Sequence, residues 1–516
     1  MKNIKLSSQW ILILLLAGFK LLLHFATNTN YELHRDAYLY LAMADHLDFG
    51  FVSVPPFIAV AGKVIQTTLG DSVFAIRLLP ALTGAVSVVV IGLLVRELGG
   101  GLWAIAIASV AFVLSPAYLR SNLLFQPVTF NQFFWLLSGL LVVKLLKTQN
   151  PKFWIPLGVI WGLAFLNKYS IVFFALACLL ALLLTSNRRL IFTRPFVIGA
   201  FLGLLLIFPN LIWQFNHNWP VVMHMRELQQ TQLVNVQIID FLLMQVLMNL
   251  HAVIVWLVGL VFLLFAKAGK TYRALGLTFL GVFFLLLVLR GKPYYTLGLY
   301  PILFASGGVA IEHYFSYRLR FVRPFCIAMM VVVMLPILPY SLPVLAPDKM
   351  AAYAQQSKRY GLEGALRWED GRIHPLPQDY ADMTGWKQLA DFVIQTYQNL
   401  PENEKNHCAI YAENYGQAGA IRYYGKKYGL PNPVCFNGSF LLWAPDSAKL
   451  STLIYVNEEL GTDIQSLFAN VKLAGRVSDP YFRENGLQVY LFRQPRPEFE
   501  NFYSIKVRAL KTQFNR

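Results

Sequence analysis

The feature that most constrains this chain is a series of apolar stretches, each close to 20 residues long, that recur through its first two thirds. A helix of about that length crosses the roughly 30 Å hydrocarbon core of a bilayer. Of the 516 residues, 56% are hydrophobic and only 14% are charged, which argues against a soluble protein. The chain is therefore predicted to be a polytopic α-helical membrane protein.

About eleven spans are predicted. The first follows a short basic segment and resembles a signal peptide, but Lys20 interrupts it and no small-residue cleavage site follows, so it is predicted to remain uncleaved. The predicted spans are 9–26, 76–95, 102–119, 128–146, 153–166, 170–185, 195–213, 239–266, 273–289, 294–312 and 322–342.

Alternate loops between these spans are basic, which is typical of cytoplasmic loops. The net charge, 44 − 27 = +17, is thus explained by membrane topology, and no nucleic-acid motif is present. With a cytoplasmic N-terminus and an odd number of spans, the residues after about 345 are expected on the outer side. The basic loop residues are Lys2, Lys5, Arg96, Lys144, Lys147, Lys152, Arg188, Arg189, Arg194, Lys267, Lys270, Arg273, Arg318, Arg320 and Arg323.

Residues 345–516 are more polar and contain no spanning stretch, which predicts a transmembrane domain over 1–344 and an extracytoplasmic α/β domain over 345–516. The sequence leaves open whether Cys408 and Cys435 pair in an oxidising compartment. Short β-like runs alternate there with helical patterns. The runs are Cys408–Tyr411, Leu453–Val456 and Gln488–Phe492, and the helical patterns are Trp386–Tyr397 and Gly416–Tyr428.

The loop Tyr31–Phe57, directly after the first span, concentrates ionisable residues. Ionisable groups near a membrane are costly and therefore informative. Asp36 is the best candidate for a general base, and the neighbouring Arg35 would favour its charged form. A solvated interfacial loop is the alternative interpretation. The loop residues are Glu32, His34, Arg35, Asp36, Asp45, His46 and Asp48.

Other ionisable groups are also predicted at the outer face, where cations beside carboxylates suit a lipid-linked phosphate. Lys168 could equally be an interfacial anchor, and Tyr294 and Tyr295 could belong to an aromatic belt. The histidines lack the spacing of a zinc site, so no metal is predicted. The outer-face residues are Asp71, Arg77, Arg120, Lys168, His217, His224, Arg226, Glu227, Arg290 and Lys292.

Several motifs occur in an order that resembles the GT-C glycosyltransferases, especially bacterial relatives of protein O-mannosyltransferases and of the lipid A aminoarabinose transferase. The resemblance covers most of the chain. The motifs are His-Arg-Asp-Ala-Tyr-Leu-Tyr (34–40), Ala-Asp-His-Leu (44–47), Pro-Pro (55–56), Gly-Asp-Ser-Val-Phe-Ala-Ile-Arg-Leu-Leu-Pro-Ala-Leu (70–82), Phe-Gln-Pro-Val-Thr-Phe-Asn-Gln (125–132), Leu-Asn-Lys-Tyr-Ser (166–170), Phe-Pro-Asn-Leu-Ile-Trp-Gln (208–214), Gly-Lys-Pro-Tyr-Tyr (291–295), Tyr-Pro (300–301) and Glu-Asn-Tyr-Gly-Gln-Ala-Gly-Ala-Ile (413–421).

The resemblance implies inverting transfer of a sugar from a polyprenyl-phosphate donor to an envelope acceptor, which would be lipid A, another glycolipid, a glycan or a protein. It implies a bacterial inner-membrane location and a catalytic role for Asp36. Contacts to the acceptor or the sugar are expected from His34, Asp45 and Asn131. Contacts to the donor phosphate or sugar are expected from Arg35, Lys168, Tyr169, Arg226, Lys292, Tyr294 and Tyr295.

Two positions depart from the pattern of many relatives. Ala37 follows Asp36 where a second acid is common, and Asn131 stands where an aspartate is common. Asp36 is therefore expected to be the main catalytic carboxylate, with Asp45 and Asp48 as alternatives. No cofactor is implied, and a divalent cation stays an open alternative. Two other functions are also left open, a transporter or flippase of a lipid-linked sugar and an inactive binding homologue.

Overall fold

The structure, a computed structural model, describes residues 7–317 and 319–514. Lys2, Lys5 and Arg318, which entered the charge argument, lie outside those residues. Each predicted span contains at least one helix. The helices up to residue 344 are α1 (Ser8–Phe25), α2 (Arg35–Asp45), α3 (Phe57–Thr68), α4 (Val73–Glu97), α5 (Leu102–Val113), α6 (Pro116–Ser121), α7 (Pro127–Thr148), α8 (Trp154–Asn167), α9 (Ile171–Leu183), α10 (Arg194–Asn216), α11 (Pro220–Thr231), α12 (Ile238–Leu247), α13 (Val253–Phe265), α14 (Arg273–Val288), α15 (Tyr300–Tyr314), α16 (Val322–Met334) and α17 (Leu338–Ser341).

Length and composition identify six stretches of helix within the described residues that are long and apolar enough to cross a membrane. A seventh is added if the pair Ile238–Leu247 and Leu250–Phe265, bent by 71°, forms one broken span. Other predicted spans hold shorter apolar helices such as α5, α9 and α16, so the number eleven stays a prediction. The six are Ser8–Phe25, Val73–Glu97, Pro127–Thr148, Arg194–Asn216, Lys270–Val288 and Pro293–Tyr314.

Glycines bring the membrane helices α13 and α15 into close contact. A Cβ atom on Gly259 would lie 2.1 Å from the Leu303 carbonyl oxygen, and one on Gly307 would lie 2.0 Å from the Val255 carbonyl oxygen. Small residues allow this approach, and close packing is a main source of helix association in lipid. Any larger residue at either glycine would force the two helices apart.

The contacts within the chain divide it into two compact units. The first unit contains the described residues up to Asn28 together with Phe74–Leu211 and Met225–Val344. The second unit contains Thr29–Val73, Ile212–His224 and the described residues from Leu345 onward. The predicted catalytic loop thus packs in the same unit as the C-terminal region, whereas the sequence-based division at residue 344 had assigned it to the transmembrane domain.

The C-terminal region has the predicted α/β character. Its four-stranded sheet has the order β1-β2-β4-β3, with β1 parallel to β2 and the other neighbours antiparallel. The strands are β1 (Cys408–Ala412), β2 (Thr452–Asn457), β3 (Phe468–Arg476) and β4 (Gln488–Pro495). The helices are α18 (Pro347–Ser357), α19 (Gln378–Ala381), α20 (Trp386–Gln398), α21 (Glu402–Lys405), α22 (Tyr415–Gly425), α23 (Phe440–Trp443), α24 (Thr462–Gln465) and α25 (Glu498–Lys511).

Three of the four strands coincide with predicted β-like runs, but β3 was not predicted. It is an edge strand, and most of its side chains are exposed, so it lacks the apolar run of a buried strand. Cys408 and Cys435 are both free thiols in the structure.

Candidate active site

Asp36 lies in the first turn of α2. In its neutral form His34 caps this helix, since its ring Nδ1 then accepts a hydrogen bond from the Asp36 backbone N–H at 3.1 Å. The partial positive charge at a helix N-terminus favours a carboxylate there. The Asp36 side chain is 30% exposed. The predicted base is therefore held on a regular element and is still accessible.

Tyr415 brings a hydrogen-bond donor to this carboxylate. Its phenol O–H donates to Asp36 Oδ1 at 2.9 Å. The Arg35 guanidinium lies over the Tyr415 ring, 4.6 Å from the ring centre, which is a favourable cation–π geometry. Burial, and then the charge of Asp36, raise the pKa of Tyr415 well above its ordinary value, so the phenol stays protonated as a donor.

His34 lies behind Asp36 and is buried. Its Nε2 is 3.7 Å from Asp379 Oδ1 and 3.6 Å from Asp382 Oδ2. Burial disfavours the charged imidazolium, but the interaction with Asp379 and the charges of Asp36 and Asp382 outweigh it and raise the pKa of His34 to about 9. Arg483 Nη1 also contacts both carboxylate oxygens of Asp382, each at 3.2 Å.

The group His34, Asp379 and Asp382 offers three possible metal-ligand atoms within 4.8 Å of one another. The hydrogen bonding does not favour a metal there. Neutral His34 accepts at Nδ1 from the Asp36 N–H and therefore carries its proton on Nε2. Protonated His34 carries a proton on both nitrogens, no longer accepts from that N–H, and instead has its Nδ1 3.9 Å from Asp36 Oδ2. In both states Nε2 has no free lone pair for a metal.

Asp45, predicted to contact the acceptor, lies at the other end of α2 in a cluster of cations. Arg422 Nη2 is 2.7 Å from Asp45 Oδ2. The ammonium groups of Lys426 and Lys63 lie 3.6 Å and 4.0 Å from Asp45 Oδ1. Because these cations surround the carboxylate, its charge is already compensated within the protein.

Three of the residues predicted to bind the donor meet in the first unit. Lys168 caps the C-terminus of α8. Its ammonium lies 4.7 Å from the ring centre of Tyr295 and 5.3 Å from that of Tyr294. Lys292, two positions before Tyr294, precedes the short helix Pro293–Leu299. The run 166–170 and the run 291–295 are therefore neighbours in space, as a shared phosphate site would need.

The other predicted residues of this unit have different surroundings. Tyr169 O–H donates to Asn210 Oδ1 at 3.2 Å, and Asn131 Oδ1 accepts from the Ser170 hydroxyl at 3.3 Å. Asn131 thus lies against the same run, 166–170, that supplies Lys168. Arg226 is exposed on α11.

Sequence reasoning did not assign Tyr415, Asp379, Asp382 or Arg483 to the site. Tyr415 belongs to the run 413–421 that contributed to the family resemblance, so a signal for it was present. The two aspartates and Arg483 carry no local pattern of their own. Only the tertiary structure brings them to His34.

Comparison with known proteins supports the same fold class. The structures of ArnT from Cupriavidus metallidurans superpose on 94% of this chain and 98% of that one, with a TM-score of 0.64 for the form bound to undecaprenyl phosphate and 0.61 for the apo form. The sequence identities are 16% and 14%. The chain therefore has the fold of these ArnT structures, a multi-pass helical membrane domain with a C-terminal α/β region.

Sequence comparison points to the same class. Residues 53–213 match the family model described as dolichyl-phosphate-mannose-protein mannosyltransferase. A curated relative, the lipid A galacturonosyltransferase RgtD of Rhizobium johnstonii, is 26% identical over 193 residues. That alignment covers 37% of this chain and 40% of RgtD. The resemblance to GT-C glycosyltransferases predicted from the sequence is confirmed.

Proposed function

We propose that this protein is an inverting glycosyltransferase that moves a sugar from a polyprenyl-phosphate donor to an envelope lipid, with lipid A as the first acceptor to test. The observation that carries the proposal is Asp36: a partly exposed carboxylate at a helix N-terminus, held by Tyr415, in a GT-C fold. The relatives support the two substrates, since RgtD is a lipid A galacturonosyltransferase and ArnT binds undecaprenyl phosphate in its crystal structure.

In the proposed reaction, Asp36 accepts the proton of an acceptor hydroxyl as the oxygen attacks the anomeric carbon. The bond from that carbon to the phosphate oxygen breaks, and its electron pair leaves on the polyprenyl phosphate. Cations that stabilise the charge on the leaving phosphate lower the barrier further. We assign this role to Arg35, the neighbour of Asp36 in the sequence. Lys168 and Lys292 of the first unit stay predicted contacts to the donor phosphate.

The proposal includes the location of the protein. We place it in the bacterial inner membrane, with the N-terminus in the cytoplasm and residues 345–516 outside, because the basic loops alternate with the mixed loops. A donor confined to the bilayer then meets the acceptor in two dimensions, which reduces the entropic cost of the encounter.

The test is transfer by the purified protein in liposomes that contain lipid A and undecaprenyl-phosphate sugars, with hexosyl, hexuronosyl and pentosyl donors compared. Mass spectrometry of lipid A should show the added mass of one sugar class, and Asp36→Asn should abolish it without loss of folded protein. Transport of the donor across the liposome without transfer would favour a flippase. The absence of both transfer and transport would favour an inactive binding homologue.

A further inference from the structure

We propose that Tyr415 is a positioning residue for the catalytic carboxylate, so that the C-terminal region takes part in catalysis. This inference rests on the proposed function. It gives the C-terminal region, whose role the sequence does not determine, the task of orienting Asp36. Tyr415 and Asp36 are 379 positions apart in the chain, yet the Tyr415 hydroxyl donates to Asp36 Oδ1 at 2.9 Å.

The first support is the way Tyr415 is itself held. It is the first residue of α22, and the Asn414 side chain caps that helix by accepting from the backbone N–H groups of Gly416 and Gln417 at 2.9 Å and 3.1 Å. The Arg35 guanidinium covers one face of the Tyr415 ring. The helix cap therefore fixes the backbone of Tyr415, and Arg35 restricts its ring, so together they fix the direction of the hydroxyl.

A second layer of contacts anchors the helix start. Glu484 accepts from the Asn414 side-chain amide at 3.1 Å and 3.2 Å, one distance for each carboxylate oxygen. The same carboxylate accepts from the Gln417 amide at 2.7 Å. Supporting contacts of this kind hold a functional group within the narrow geometry that chemistry needs.

The third support is the close approach of α22 to α2. A Cβ atom on Gly416 would lie 2.7 Å from Arg35 Cγ, and one on Gly419 would lie 2.8 Å from the Tyr38 carbonyl carbon. The two glycines, three positions apart, let the helices approach until the Tyr415 hydroxyl reaches Asp36. The run Asn-Tyr-Gly-Gln-Ala-Gly at 414–419 therefore supplies three features of the site. Its first residue caps α22, the next donates to Asp36, and its two glycines allow the close approach to α2.

The expected task follows from the chemistry of a general base. A carboxylate that turns about its side-chain torsions meets the acceptor hydroxyl in many orientations, and only some of them allow proton transfer. A hydrogen bond that fixes one oxygen also fixes the direction of the other. Tyr415 should thus influence the chemical step more than the binding of either substrate.

The experiment compares Tyr415→Phe with Tyr424→Phe in the full-length protein in liposomes, with the donor and lipid A acceptor that wild type uses. Tyr424 is the matched control: it lies on the same helix, and its hydroxyl bonds the Tyr38 hydroxyl of α2 at 3.2 Å rather than Asp36. Both variants keep the aromatic ring. Steady-state rates are measured against donor and acceptor concentration, together with the thermal stability of each variant.

For Tyr415→Phe we expect kcat to fall by about ten- to a hundred-fold, as the loss of a hydrogen bond to a charged group predicts, with KM for both substrates nearly unchanged. Tyr424→Phe should keep kcat within about two-fold of wild type. Equal kcat values for the two variants, or a loss that follows thermal stability in both, would overturn the positioning role. Absence of transfer by wild type would instead refute the proposed function, and with it this role.

Discussion

At the scale of single residues, the site combines a carboxylate with groups that restrict it. Asp36 contacts Tyr415 on one side, and its backbone N–H donates to His34. His34 in turn faces Asp379 and Asp382, so it links the α2 N-terminus to acids of the C-terminal region. His34 thus supports Asp36 from behind, and its predicted contact with the acceptor or the sugar stays a prediction.

The surroundings of His34 predict a pH-dependent stability. The pKa of His34 is raised to about 9 in the folded protein. The contribution of protonated His34 to the free energy of unfolding is therefore complete below the ordinary pKa of about 6.5, and it is lost as the pH rises through about 9. The loss is ~3 kcal/mol at most. Thermal melts of the purified protein between pH 6 and 10 should therefore show a falling midpoint.

His34→Gln is the appropriate comparison for these melts. Its side-chain oxygen can still accept from the Asp36 N–H, and its amide can still donate toward the two aspartates, but it does not titrate. The variant should have a flatter profile than wild type over this pH range. If the two proteins lose stability in parallel, the imidazolium of His34 does not stabilise the fold.

At the scale of secondary-structure elements, the decisive contact joins α2 to α22. Gly416 and Gly419 provide the space for it, and Arg35, Asp36 and Tyr38 form the opposing surface. The contact makes the loop that carries Asp36 and the C-terminal region parts of one compact unit. Disturbing it should therefore affect stability and transfer together.

Gly419→Ala tests this contact. The new Cβ atom would lie 2.8 Å from the Tyr38 backbone, so α22 must move, at a cost of about 1–3 kcal/mol. We expect a lower thermal midpoint and reduced transfer. Gly364→Ala is the control, since a Cβ atom there meets nothing within 4 Å. Similar midpoints for the two variants would show that α22 tolerates the displacement.

At the scale of the whole molecule, the proposed reaction requires the C-terminal region to lie on the outer side of the membrane. The alternation of basic loops predicts that this region lies outside. In a cysteine-free background, Tyr360→Cys should react with a membrane-impermeant maleimide in intact spheroplasts, because Tyr360 is 82% exposed and lies after residue 345. Thr148→Cys, at the exposed end of α7 between Lys147 and Lys152, should react only after permeabilisation. The reverse pattern would invert the topology.

Much of the large-scale organisation could be predicted from local patterns. Apolar stretches located the helices, and β-like runs located β1, β2 and β4, because both signals depend on residues close in sequence. The edge strand β3 was not predicted because its side chains are mostly exposed and form no apolar run. Asp36 could be singled out because it closely follows a span and matches a motif.

The supporting residues of the site could not be predicted in the same way. Tyr415 reaches Asp36 across 379 positions, and Asp382 reaches His34 across a similar distance. Local sequence periodicity does not predict which distant residue contacts a given loop. The run 413–421 contributes to the family resemblance, but only the packing of α22 against α2 explains its residues.

The central claim is sugar transfer that depends on Asp36, and mass spectrometry of lipid A tests it most directly. Wild-type protein in liposomes with an undecaprenyl-phosphate sugar should add one sugar mass to the acceptor. Asp36→Asn, with an unchanged thermal midpoint, should reduce the rate by at least about a hundred-fold, as expected for loss of a general base. Undiminished transfer by the folded Asp36→Asn variant would contradict the account.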